Sequence, residues 1–145
     1  MNSPRPTGRQ RGSVLMLMPA GVLIVLLLGA ISFDLSLVFL RQRQASGVAV
    51  DLANDLASAA LDEATLRGSG AFVLDPRRAE DLAASFVGGS DVASQLTSLE
   101  VEVIGADRVR VTIILWVDYV FAKAIPGAAE GTSVTAQATA VASPG

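Results

Sequence analysis

An uninterrupted apolar stretch lies near the start of the chain. No charged residue occurs between Ser13 and Phe33, and residues 21–29 are apolar throughout. About 20 such residues are enough for a helix to cross the ~30 Å hydrocarbon layer of a bilayer. The pattern therefore predicts a transmembrane helix over residues 13–40, with a kink or an entry turn near Pro19.

The helical periodicity continues beyond this stretch. Apolar residues recur at intervals of three and four as far as Ala60, so we expect one helix that runs to about Leu66 and ends at residues 67–70. Small residues spaced by four form a stripe on this helix: Ala45, Ala49, Ala53 and Ala57. Either the stripe packs on the chain's own domain, or it is a close-approach surface for a second helix in an assembly.

Period-two alternation predicts a small sheet in the distal part of the chain. Residues 99–103 and 109–117 alternate around a turn at 105–107, which predicts a β-hairpin, and residues 134–140 predict a third strand. Asp75 followed by Pro76 predicts the N-cap and first position of a short amphipathic helix. The predicted fold is α+β, with a long N-terminal membrane helix and an antiparallel sheet of about three strands.

The pattern divides the chain into four segments. They are a basic cytoplasmic leader (1–12), the transmembrane helix (13–40), an extracytoplasmic extension of that helix (41–67) and a small extracytoplasmic α+β domain (68–145).

The connection between the last two predicted strands is too apolar for an ordinary solvated loop. Its candidate contact residues are Tyr119, Phe121 and Ile125. Either this segment folds back on the sheet, or it is a protruding apolar segment that contacts the outer leaflet or a neighbouring subunit.

Charge indicates the orientation of the chain. Arg5, Arg9 and Arg11 precede the apolar stretch, whereas the chain after residue 40 carries 8 basic and 13 acidic residues. The positive-inside rule therefore predicts a single-pass protein of the cytoplasmic membrane with its N-terminus inside. The acidic remainder disfavours nucleic acid as a partner.

A competing interpretation treats residues 1–32 as a cleaved secretory signal with a small-residue site at 30–32. The apolar region of such signals spans about 7–15 residues, whereas this one spans about 20. The lengths therefore favour an uncleaved membrane helix.

Asp34 is the only ionisable residue between Arg11 and Arg41. If the span begins near Ser13, Asp34 lies about 31 Å along the helix, at the outer interface. We expect either a solvated interfacial aspartate or a contact with Arg41 or Arg43 of a neighbouring subunit that sets the register of an assembly.

The composition excludes several kinds of chemistry. The chain has no cysteine and no histidine, which rules out thiol nucleophiles, Ser-His-Asp triads and zinc fingers. The glycine pairs lack the lysine of a phosphate-binding loop, and the paired carboxylates lie on helix faces that we expect to be solvated. We therefore expect no enzymatic activity, cofactor, metal or small-molecule substrate. An envelope receptor is a weaker alternative, because no convergent polar pocket is visible.

Short segments along the chain carry a family resemblance. The sequence Arg11-Gly12-Ser13-Val14 precedes the apolar stretch, and Arg41-Gln-Arg-Gln44 follows it. The other matching segments are residues 50–60, 109–113, 121–127 and 134–140. Together, over about residues 11–141, they resemble TadE/TadG-like Flp pilus-assembly proteins.

The resemblance implies a pilin-like fold and a non-enzymatic role as a minor pilin, pseudopilin or assembly subunit. Such a subunit would act with other pilus or secretion-system subunits in a bacterial envelope, through helix packing in the membrane. It also implies cleavage by a prepilin peptidase between Gly12 and Ser13. Members with that site carry a glutamate five residues beyond the glycine, where this chain has Leu17. The alternative is a bitopic interaction subunit of an envelope complex that does not enter a fibre.

Overall fold

The computed structural model describes residues 11–61, 63–70, 73–90 and 92–142. Within these ranges the chain forms α-helices, strands and two single-turn 3-10 helices, Ala93–Gln95 and Ala122–Ala124. The elements are α1 (Arg11–Ala59), α2 (Glu63–Ser69), α3 (Pro76–Gly88), β1 (Leu96–Ile104), β2 (Arg108–Asp118) and β3 (Gly131–Val141). The predicted combination of a long N-terminal apolar helix, shorter helices and a three-stranded antiparallel sheet is confirmed.

Helix α1 contains 49 residues and is therefore about 74 Å long. Pro19 lies inside it without ending it. Between Leu17 and Phe33 its large apolar side chains are exposed, and by length and composition the helix could cross a membrane. The second part of the same helix is covered by the domain. One element thus joins an exposed apolar segment to a packed core.

The end of α1 differs from the prediction. The helix stops at Ala59 rather than near Leu66, and a separate helix, α2, follows. Tertiary contacts determine this end, because the carbonyl of Ala60 accepts a hydrogen bond from the Asp75 amide at 2.8 Å, and Leu61 forms a β-bridge with Leu74. The predicted breaker lies at the end of α2 instead, where Gly70 has a φ of +71°.

The sheet has the order β1-β2-β3, with both neighbouring pairs antiparallel. Gly105, with a φ of +71°, lies in the turn of the β1–β2 hairpin. Pro76 opens α3, and the Asp75 carboxylate accepts hydrogen bonds from the amides of Arg77 and Arg78, as the cap motif predicts.

The core lies between one face of this sheet and the helices. Alternate residues of β2, from Val109 to Val117, are buried and face the alanine stripe of α1. The facing positions of β3 are small, among them Ala136 and Ala140, so α1 can approach this strand closely. The opposite face of the sheet carries polar side chains, including the ion pair between Glu102 and Arg110 at 2.9 Å.

Gly131 opens β3 opposite Asp118, at the end of the sheet nearest the β2–β3 connection. A Cβ atom at this position would overlap the carbonyl oxygen of Val117 and would lie 2.9 Å from Cζ2 of Trp116. The indole therefore packs over a position that only glycine can occupy without displacement.

We expect Gly131→Ala to lower the free energy of unfolding by about 1–3 kcal/mol, because the added methyl group overpacks the site. Chemical denaturation in mild detergent, followed by circular dichroism and by the fluorescence of the chain's one tryptophan, measures the change. Gly47→Ala is the matched control, since nothing lies within 4 Å of a Cβ there. In the middle of a helix it should raise the stability by about 0.5–1 kcal/mol. Equal stability of the Gly131→Ala variant and the wild type would contradict the packing described.

Candidate functional site

Asp34 is buried, with 5% of its surface exposed, although it lies in the apolar part of α1. The expectation of a solvated interfacial aspartate is therefore wrong. The residues that cover it come from residues 119–127 of the connection between β2 and β3, a segment that we call the docking loop.

The Asp34 carboxylate accepts hydrogen bonds from three consecutive backbone amides of the docking loop. The Val120 amide donates to Oδ1 at 2.8 Å, and the Ala122 amide donates to Oδ2 at 2.8 Å. The Phe121 amide lies 3.2 Å from both oxygens. These amides precede and open the 3-10 turn at Ala122–Ala124, which lacks a capping side chain of its own. Asp34 thus supplies the missing cap from a distant part of the chain.

Aromatic packing reinforces this attachment. The rings of Phe33 and Phe121 meet edge to face, with centroids 5.4 Å apart. The Tyr119 amide donates to the Glu130 carbonyl at 2.8 Å and closes the base of the loop. These contacts fix the docking loop on α1 rather than on the face of the sheet.

The docking loop leaves much of its apolar surface uncovered. The exposed fractions are 46% for Val120, 46% for Phe121 and 54% for Ile125. Tyr119 is half-buried and Lys123 is exposed. The candidate contact residues Phe121 and Ile125 are therefore available to a partner or a lipid surface.

The alanine stripe is covered by the chain's own domain. Ala45 and Ala49 are fully buried, and Ala53 and Ala57 are at most 5% exposed. Of the two alternatives, the structure favours packing on the domain, because β2 and β3 already fill the space that a second helix would need.

Within the described part of the chain, no hydrogen bond or ion pair joins Asp34 to Arg41 or Arg43. The Arg41 guanidinium donates to Oε1 of Gln44 at 2.8 Å, and Arg43 is exposed. The hydrogen bonds from the loop amides use the acceptor sites of the Asp34 carboxylate. A contact with an arginine of a neighbouring subunit would have to compete with them, and it stays a prediction.

The candidate cleavage site at Gly12 and Ser13 lies at the start of α1. Its side chains fall outside the described residues, as does the leader up to residue 10. Cleavage at this site stays a prediction.

The Asp34 cap was not predicted from the sequence, although the helical periodicity contains a signal for it. Asp34, Val38, Arg41 and Ala45 follow one another at intervals of four and three. Asp34 therefore lies on the same face of α1 as the alanine stripe, the face that packs on the domain. Gln42, on the flank of this stripe, donates to the Thr135 carbonyl of β3 at 2.8 Å. A polar side chain at the start of an apolar helix face can thus indicate a hydrogen bond to the backbone of a segment far along the chain.

Ala49→Leu should lower the free energy of unfolding by about 1–3 kcal/mol, because leucine does not fit between α1 and the sheet. Ala59→Leu, at an exposed position of the same helix, is the matched control and should have little effect. Denaturation in mild detergent measures both variants. Wild-type stability of the Ala49→Leu variant would show that the stripe is not tightly packed.

Asp34→Asn should release the docking loop, because the amide group has one acceptor oxygen and no negative charge. Hydrogen bonds to a charged group contribute about 1.5–3 kcal/mol each, so the loop should open at least about tenfold more often. Lys123 is the one lysine of the chain, so a lysine-specific protease can cut only there. The rate at which the solubilised full-length chain is cleaved therefore reports loop opening.

Asp51→Asn is the matched control for this assay, since Asp51 is exposed on the same helix. It should be cleaved at the wild-type rate. Equal cleavage rates for the Asp34→Asn and Asp51→Asn variants would contradict the role of the carboxylate in holding the loop.

The described residues contain no group of three or more aspartate, glutamate, histidine or cysteine side chains that could hold a metal ion. No protein-family model, no curated protein and no solved structure matches this chain. The exposed apolar part of α1 and the docking loop fixed to it by Asp34 are the features that bear on function.

Proposed function

We propose that this chain is a non-enzymatic, TadE/TadG-like component of a Flp-type pilus or a related secretion apparatus. It acts as a minor pilin, a pseudopilin or an assembly subunit. Helix α1 anchors it in the cytoplasmic membrane, with the N-terminus inside and the sheet domain outside.

The observation that carries the proposal is the division of α1 into two parts. From Leu17 to Phe33 the helix projects from the domain with its large apolar side chains exposed, whereas from Ala45 to Ala57 it forms part of the core. An exposed apolar surface of this extent needs lipid or another apolar partner. A helix whose first part is an anchor and whose second part belongs to the domain is the arrangement that the resemblance to TadE/TadG-like proteins leads us to expect.

A second observation supports a structural role for the domain. The docking loop ties the far end of β2 to α1 at Asp34, and the alanine stripe ties the sheet to α1 further along. The domain is thus attached to its anchor at two places. Such a subunit can transmit its position in the membrane to partners outside it.

Leu17 favours the alternative of a bitopic interaction subunit that does not enter a fibre. In a pilin the glutamate at this position neutralises the new N-terminal amine of a neighbouring subunit within the bilayer, where an unpaired charge is costly. This chain cannot make that contact through Leu17. The alternative keeps the membrane anchor and the assembly role but places the chain in a membrane complex.

Deletion of the gene in the strain that encodes it should abolish or strongly reduce surface pili, and the wild-type gene should restore them. Counting of sheared filaments by electron microscopy measures the effect. Complementation with the Asp51→Asn variant, which leaves both attachment points intact, should restore them equally. Normal pilus output in the deletion strain would overturn the proposed role.

The location of the chain separates the two forms of the proposal. Recovery of the chain in sheared filaments supports a minor pilin, whereas recovery only in complexes of the cytoplasmic membrane supports the bitopic subunit. The intact mass of the purified chain further distinguishes an N-terminus at Met1 from one at Ser13 or at Phe33.

A further inference from the structure

Exposed apolar side chains on α1 continue beyond Asp34. Leu35, Phe39 and Leu40 are 62%, 66% and 60% exposed. Leu40 lies six residues after Asp34, which is about 9 Å further along the helix axis. The docking loop is held at Phe33 and Asp34. It therefore lies closer to the N-terminus of α1 than Leu40, where the exposed apolar surface of the helix ends.

We propose that the docking loop inserts into the outer leaflet of the membrane, where lipid covers its exposed apolar side chains. The inference rests on the proposed membrane anchoring by α1 and deepens it. If lipid covers α1 as far as Leu40, it also reaches Val120, Phe121 and Ile125 on the neighbouring loop. The domain then sits on the bilayer surface with this loop as a second anchor.

The residue types around the docking loop fit a bilayer interface. Trp116 and Tyr119 are the only tryptophan and the only tyrosine of the chain; Trp116 lies near the end of β2, and Tyr119 is the first residue of the loop. Tryptophan and tyrosine are enriched where a protein crosses from hydrocarbon to headgroups. Lys123, the only lysine, can extend its ammonium group toward lipid phosphates while its alkyl chain stays among apolar atoms.

The Asp34 cap removes the main obstacle to insertion of a loop. Backbone amides without hydrogen-bond partners cost several kcal/mol each in hydrocarbon. Asp34 accepts hydrogen bonds from the amides of Val120, Phe121 and Ala122, near the start of the loop. The loop can therefore present Val120 and Phe121 to lipid while the amides of these residues and of Ala122 stay hydrogen-bonded.

A groove between the docking loop and α1 continues the same surface. It has a volume of about 360 Å³ and is lined almost entirely by apolar side chains. Its walls include Leu27, Ala30 and Ile31 on the helix and Phe121 and Ile125 on the loop. A lipid acyl chain matches the apolar lining and the continuity of the groove with the exposed part of α1.

Single-cysteine labelling of the full-length chain tests the proposal, because the wild type contains no cysteine. An environment-sensitive fluorophore is attached to Ile125→Cys, Val25→Cys or Ala106→Cys, and each protein is reconstituted in phosphatidylcholine vesicles. Val25 lies in the exposed apolar part of α1, and Ala106 lies in the hairpin turn at the opposite end of the sheet. Lipids brominated near the headgroup or deep in the acyl chain serve as quenchers.

We expect shallow bromines to quench the label at position 125 strongly, deep bromines to quench the label at 25, and neither to quench the label at 106. Quenching at 25 without quenching at 125 would overturn the inference and leave the membrane anchor standing. Absence of quenching at both 25 and 125 would overturn the anchor and the inference together.

The Asp34→Asn change in the Ile125→Cys protein tests how the loop is held. Release of the amides should draw the loop out of the leaflet and reduce the quenching at position 125, while Asp51→Asn should leave it unchanged. Undiminished quenching in the Asp34→Asn protein would overturn the part of the proposal that depends on the cap.

Discussion

Close packing between α1 and the sheet is the constraint on which the rest of the structure depends. A three-stranded sheet with one covered face is near the minimum that is stable in water, so this domain needs its helix. The buried residues are small on the helix (Ala45 and Ala49) and on β3 (Ala136 and Ala140), so the two elements can pack closely, and larger buried residues such as Ile113 lie on β2. Because the covering helix is also the exposed apolar helix, neither part can be placed independently of the other.

The contact at Asp34 satisfies both a carboxylate and a set of backbone amides that would otherwise lack hydrogen-bond partners. A carboxylate next to an apolar surface loses its hydration, and the amides that open a 3-10 turn have no partners within the turn. Brought together, the charge and the three amides satisfy each other. The contact also lets the start of the connection from β2 to β3 be apolar, because the amides of Val120, Phe121 and Ala122 are hydrogen-bonded to Asp34.

Local signals in the sequence were enough to predict the strands, the hairpin turn and α3 with its Asp75 cap, because each depends on neighbouring residues. The end of α1 depends instead on Ala60 and Leu61 contacting the segment around Leu74, and no local breaker marks it. The Asp34 contact joins residues 86 to 88 positions apart. The periodicity could place Asp34 on the domain-facing side of the helix, but it could not identify the backbone that meets it there.

If α1 anchors the chain in a membrane as proposed, the continuity of the helix couples the tilt of the domain to the thickness of the bilayer. The helix passes from its exposed apolar segment into the core without interruption. From Leu17 to Leu40 the apolar surface is about 35 Å long, slightly more than the ~30 Å hydrocarbon layer, and a helix in this position responds to a thinner membrane by tilting. The sheet would tilt by the same angle. Membrane thickness would therefore determine the direction in which the polar face of the sheet points, and all copies in one membrane would share that inclination.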